Sequence, residues 1–178
     1  MAHRILVVVD MQNDFVSGSL GSAEAQAIVP AVLDKVRSFD GTVLFTKDTH
    51  TTEYLSTQEG RHLPVEHCIE GTDGWQLIEP LQALQKDLNA RVYCKPAFGS
   101  VQLAHELAAL HRAHPIDSIE LVGLCTDICV VSNALLLKAC LPEVPMCVDA
   151  ACCAGVTPDS HKAALQTMAS CQVEILNA

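Results

Sequence analysis

Aromatic side chains are scarce in this chain: four Phe, two Tyr and one Trp among 178 residues. Aliphatic side chains, mainly Ala, Val and Leu, must therefore fill most of the core, and the 49% hydrophobic content suits a folded chain. With so few rings, Phe15, Trp75 and Phe98 stand out individually. Lys and Arg are also few, 11 against 21 acidic residues, for a formal net charge of −10 with no basic stripe. Nucleic acid and anionic membrane are thereby disfavoured as partners. No apolar run approaches the ~20 residues of a membrane span. The run Ile5 to Val9 is too short for a secretory leader and ends in Asp10. Nine cysteines occur at irregular spacing without one Cys-x-x-Cys pair. That count and spacing argue against a disulfide framework and against a four-cysteine zinc site. The expectation is a reduced, cytoplasmic protein whose cysteines are mostly small core residues.

The length suits one domain, residues 1–178, with a sizeable core. Apolar, β-branched runs predict strands at Ile5–Val9, Val43–Thr46, Arg91–Cys94, Ile116–Leu124, Val144–Val148 and Val173–Leu176. Helical periodicity predicts helices over Ala25–Phe39, Val101–His111, the stretch from Cys129 to about Cys140, and Pro158–Ser170. Trp75 to Leu88 reads as one or two helical turns interrupted at Pro80. Met11 to Gly21 reads as a polar loop. Residues 49–74 have little periodicity but carry His50, His62, His67 and four glutamates, and a long loop of that kind is usually functional. Alternation of strands and helices calls for a three-layer α/β/α sandwich around a mainly parallel six-stranded sheet.

Ligands bind such sheets beyond the carboxyl ends of the strands. Asp10, Asp48, Lys95 and the turn Leu124-Cys125-Thr126-Asp127-Ile128-Cys129 all fall at such ends. Thr126 is placed to cap the next helix, and a thiol near that helix N-terminus ionises more easily. Cys129 is thus the candidate nucleophile, Lys95 its positive field and Asp10 its base. Asp48 and His50, two apart at a strand end, project to one side. Together with Glu59 and His67 from the long loop they form a candidate site for Zn, Fe or Mn, with His62 a competing ligand.

The segments Asp10-Met-Gln-Asn-Asp-Phe15, Asp48-Thr-His50, Leu63-Pro-Val-Glu-His67-Cys68, Lys95-Pro-Ala-Phe98 and Gly123-Leu-Cys-Thr-Asp-Ile-Cys129 resemble the isochorismatase-like cysteine hydrolases, and within them the nicotinamidases. The resemblance spans nearly the whole chain in the right order. It implies hydrolysis of nicotinamide to nicotinate and ammonia through a thioester on Cys129, with Asp10 and Lys95 completing a triad. It also implies one divalent metal ion, most often zinc, held by Asp48, His50 and His67, with Glu59 as fourth ligand in a variant of the pattern. Further implications are a cis peptide at Leu124-Cys125, an oxyanion hole from the backbone N–H groups of Cys125 and Cys129, and a substrate ring flanked by Phe15 and Trp75 with Phe98 lining the pocket. Two departures stand out: Thr51-Thr52-Glu53 where a proline or aspartate is common, and Cys125 where alanine is common. The partner implied is a small amide. A different small amide, a carbamoyl compound or an enol ether such as isochorismate is the alternative substrate, and the sequence leaves a homo-oligomer open.

Overall fold

The computed structural model describes residues 3–178. Six parallel strands form one sheet in the order β3-β2-β1-β4-β5-β6. They are β1 (Arg4–Val9), β2 (Thr42–Asp48), β3 (Arg91–Lys95), β4 (Ser118–Leu124), β5 (Met146–Ala154) and β6 (Glu174–Leu176). The helices are α1 (Asn13–Val16), α2 (Ala23–Ala27), α3 (Val29–Ser38), α4 (Gln58–His62), α5 (Glu79–Asp87), α6 (Val101–Ala113), α7 (Val131–Cys140) and α8 (Pro158–Ser170). Side chains alternate across a strand, so β1 serves two cores. Ile5, Val7 and Val9 pack with α6, α7 and α8, whereas Leu6 and Val8 pack with α2, α3 and α5. The three-layer sandwich is as expected, and all six strands are parallel. Among the described residues no helix is long and apolar enough to cross a membrane.

The direction of winding reverses between β1 and β4, the two central strands, and a crevice opens there at the strand C-terminal ends. Gly123 lets them approach at that point. Its φ is +116°, and a Cβ would lie 2.1 Å from the Val9 carbonyl oxygen.

Several elements differ from the expectation. The helix expected over 25–39 is two, α2 and α3, because Pro30 at the start of α3 has no N–H to continue the ladder. Pro80 likewise opens α5 rather than interrupting a helix. The loop after β1 contains α1, and residues 49–74 contain a 3-10 turn at Tyr54–Ser56 followed by α4. β5 runs five residues past Asp149, to Ala154. Asp149 can stay inside a strand because Lys35 Nζ lies 2.8 Å from its Oδ2 and Asn177 Nδ2 donates to its Oδ1 at 3.0 Å.

Lys35 also lies 2.7 Å from Glu120, so one cation from α3 joins two buried carboxylates of the sheet. Burial pushes the Asp149 carboxyl up, but Lys35 and Asn177 hold it below the usual carboxylate range. Lys35→Met should cost about 2 kcal/mol in urea unfolding, because it leaves both carboxylates without a cation. The loss should shrink as pH falls below about 4, since a depressed carboxyl contributes stability only above its folded value. An unchanged unfolding midpoint at neutral pH would rule out this role.

Candidate active site

Four strand ends build the site. Asp10 follows β1 with φ +47°, a left-handed turn that Asp tolerates better than most residues. Its N–H donates to Thr46 Oγ1 at 3.2 Å, and that hydroxyl donates back to Asp10 Oδ1 at 2.6 Å. The other oxygen, Oδ2, is left facing Lys95, whose Nζ lies 2.7 Å away. Lys95 ends β3, is 1% exposed, and also reaches Asp48 Oδ1 at 3.2 Å and Cys129 Sγ at 3.4 Å. Asp10, Lys95 and Cys129 are therefore one contact group, assembled from residues 119 positions apart in sequence.

Cys129 does not sit in the α-helix expected for it. The segment Thr126–Val130 is a single π-helical turn, followed by α7. Thr126 caps nothing: it lies inside the turn, completely buried, and its hydroxyl meets His161 Nδ1 at 2.8 Å. The peptide Leu124-Cys125 is cis, as the resemblance implied. Asn133 of α7 donates to the Cys129 carbonyl at 2.8 Å and to the Phe98 carbonyl at 3.1 Å, and accepts the Ser100 N–H at 2.9 Å. The Phe98 loop is thereby tied to the nucleophile turn.

The resting thiol is not eased towards ionisation as helix position alone suggested. Burial pushes the Cys129 thiol well up, Asp10 and Asp48 push it further, and Lys95 alone opposes them. Asp10 is itself raised by burial and by Asp48, against the pull of Lys95. A raised carboxyl next to a raised thiol exchanges a proton more readily than either does with water. Lys95 is held firmly protonated, because Asp10, Cys129 and Asp48 outweigh the cost of its burial.

Asp48, His50, Glu59 and His67 converge beside this group, with one ligand atom of each within 4.8 Å of all the others. His50 Nε2 lies 2.9 Å from Asp48 Oδ2 and 3.6 Å from Glu59 Oε1. His67 Nε2 lies 3.6 Å from Asp48 Oδ2 and 3.8 Å from Glu59 Oε1. Ligands about 2.0–2.2 Å from a tetrahedral zinc stand roughly 3.3–3.5 Å apart, so two imidazoles and two carboxylates at these spacings fit a divalent ion. His67 Nδ1 meets the Val65 carbonyl at 2.8 Å, which leaves Nε2 as the lone-pair nitrogen. Burial pushes Asp48 up, but His50, His67 and Lys95 overcome it and hold the carboxyl well below its usual range. His62 is exposed, with Nδ1 at 2.8 Å from the Gln58 carbonyl, and is not in the cluster.

A cleft of about 1130 Å³ opens onto Cys129 and onto Asp48, His50, Glu59 and His67. Phe15 and Phe98 line it, Phe15 with its ring centroid 5.5 Å from that of His67 and Phe98 44% exposed. Cys125 lines it too, its thiol pushed up to about 12 by burial and by Asp127 and Asp10. Trp75 is not brought there. Its Nε1 donates to Thr49 at 2.8 Å, and Lys47 Nζ lies 2.9 Å from its ring centroid, outside the cleft.

Three supports were not singled out from the sequence. Thr46 stands two residues before Asp48, so strand alternation puts both on one side. Gln12 accepts the Asp48 N–H at 2.7 Å and donates to the Asp48 carbonyl at 2.8 Å, pinning the end of β2. Tyr54 lies fully buried against His50 and His67, at centroid distances of 4.6 and 4.9 Å. Gln12 and Tyr54 lay within segments that drew attention and Thr46 ended a predicted strand, but their contacts needed the fold.

A parallel sheet with this crevice, carrying a buried Asp–Lys–Cys group, places the chain among three-layer α/β/α proteins with the groups of a cysteine hydrolase. The chain belongs to the isochorismatase family, whose domain model matches residues 4–178. It is 28% identical over 194 residues to the nicotinamidase/pyrazinamidase of Mycobacterium tuberculosis, covering 97% of this chain and 98% of that one. In structure it is similar to a nicotinamidase/pyrazinamidase from Bacillus subtilis, with a TM-score of 0.85, 24% identity and coverage of 98% and 100%. It is also similar to a pyrazinamidase of Pyrococcus horikoshii in complex with zinc, with a TM-score of 0.80, 24% identity and 99% of both chains covered. These structural likenesses establish the fold.

Proposed function

We propose that this protein is a nicotinamidase, hydrolysing nicotinamide to nicotinate and ammonia through a thioester on Cys129. The observation that carries the reading is Lys95, which touches Asp10 and Cys129 on one side and Asp48 of the candidate metal cluster on the other. One cation thus joins the nucleophile to a group suited to hold a metal, and both line a single cleft. The curated relatives of Mycobacterium tuberculosis and Acinetobacter baylyi, 28% and 27% identical, bear nicotinamidase names, which supports the substrate.

The chemistry follows from these residues. Asp10 takes the Cys129 proton as sulfur attacks the amide carbon, and Lys95 stabilises the carboxylate before and the thiolate during transfer. The oxyanion is received by the backbone N–H groups of Cys125 and Cys129, a contribution of ~3 kcal/mol per donor. The N–H groups of Ile128 and Val130 are engaged elsewhere, donating to the Cys125 carbonyl at 3.1 and 3.0 Å. Asp10 then gives its proton to the departing nitrogen, and ammonia leaves. Water, losing a proton to Asp10, cleaves the thioester; nicotinate leaves and the proton returns to sulfur.

Asp48, His50, Glu59 and His67 would hold a divalent ion, zinc in the first instance. Bound there, such an ion would supply Lewis-acid character to the cleft. Phe15 flanks the ring and Phe98 borders the mouth of the cleft. Trp75, outside the cleft, acts at most through Thr49.

Ammonia release from nicotinamide, assayed with and without chelator, tests the reading. Turnover should fall at least tenfold on chelation and return with added zinc. Absence of nicotinamide turnover by the zinc-loaded protein would refute it and favour another small amide, a carbamoyl compound or an enol ether.

A further inference from the structure

The nucleophile turn is held from outside as well as from the site. Thr126, its first residue, is completely buried, and the partner of its hydroxyl is His161 Nδ1 at 2.8 Å. Asp127, the next residue, accepts the Val156 N–H at 3.1 and 3.3 Å through its two oxygens. Both tethers lead to the same place, the first turn of α8 and the loop before it.

That place is built to be rigid. α8 opens with Pro158, and Thr157 and Ser160 form a reciprocal capping box. His161 follows at once, its N–H bonded to the Thr157 carbonyl at 2.9 Å. Gly155 allows the close approach, since a Cβ there would lie 2.9 Å from the His161 Cβ. Gly155 and Val156 in turn form part of the cleft wall.

We propose that His161 is a positioning residue for Cys129: it fixes Thr126 and so sets where the turn presents the thiol to Lys95 and to the substrate. The proposal rests on the hydrolase reading above. The imidazole touches no reacting atom and acts through the Thr126 hydroxyl. Burial pushes His161 below its ordinary value, so a neutral ring meets the Thr126 hydroxyl. The opposing pull of Asp127 is smaller, and Lys162 adds to the downward shift. Cys129 lies three residues beyond Thr126 with its sulfur 3.4 Å from Lys95, so a small rotation of the turn moves the thiol out of reach.

The test compares His161→Ala, His161→Asn and His161→Gln in the zinc-loaded protein. Asn returns a polar atom near the Nδ1 position, whereas Gln returns one near Nε2. The account expects kcat for nicotinamide to drop on the order of tenfold or more in the Ala and Gln variants with KM held within about twofold. The Asn variant should recover most of the loss. Equal kcat in all three variants and the parent overturns the proposal, as does an Asn variant no better than Ala. The alkylation rate of Cys129 by iodoacetamide, followed by peptide mass, needs no substrate. It should shift several-fold in His161→Ala and return in His161→Asn; an unshifted rate in both contradicts the proposal. Should the parent protein not act on nicotinamide, the functional reading fails while the alkylation comparison still decides the role of His161. If His161→Ala proves too unstable to assay, the Asn and Gln pair carries the same comparison.

Discussion

Replacing Cys129 by alanine will abolish ammonia release while leaving the bound metal in place. The loss should be on the order of 10⁴-fold or more, because removal of a covalent nucleophile leaves only binding and polarisation. Cys129 is not one of the four converging metal-cluster residues, so zinc content measured per chain should match the parent. The two observables separate two chemistries. A hydrolase that used metal-bound water would keep its turnover in Cys129→Ala and lose it on chelation. Near-parental activity in the zinc-loaded variant would overturn the thioester route outright.

Lys95→Met should damage stability as well as catalysis. The ammonium is 1% exposed and lies 2.7 Å from Asp10 and 3.2 Å from Asp48. Its removal leaves Asp10 buried with no cation, a change that costs about 3–5 kcal/mol for a broken buried pair. Asp10 is already raised by burial, and loss of Lys95, which pulls it down, raises it further. A carboxyl raised in the folded state binds more protons folded than unfolded, so its deficit grows as pH rises. The stability gap between Lys95→Met and the parent, measured by urea unfolding, should therefore narrow as pH falls from 8 towards 5. A gap independent of pH would show that Asp10 is not the group that Lys95 compensates.

Much of this site was legible because its residues lie at strand ends. The runs before Asp10, Asp48 and Lys95 are apolar enough to mark buried strands, and parallel strands deliver their C-terminal ends to one rim. The pairing of Asp48 with His50 followed from period-two alternation, and the long loop did return Glu59 and His67 to them. The boundaries at Pro30 and Pro80 were misjudged because a proline reads the same whether it breaks a helix or begins one. The state of the Cys129 thiol was misjudged for a different reason. Helix position favours a thiolate, but burial beside two carboxylates outweighs it, and burial is a property of the fold. Trp75 drew notice by rarity, yet its ring is occupied by Lys47 and Thr49. The contact of Thr126 with His161 spans 35 positions and has no local signature.

The central claim is that the acyl group is carried on Cys129. The direct measurement mixes zinc-loaded protein with nicotinamide, quenches in acid on the turnover timescale, and reads the mass of the peptide containing Cys129. The account predicts a nicotinoyl group in place of the thiol hydrogen on that peptide, absent from Cys129→Ala. Full turnover with no acylated peptide at any quench time would contradict it.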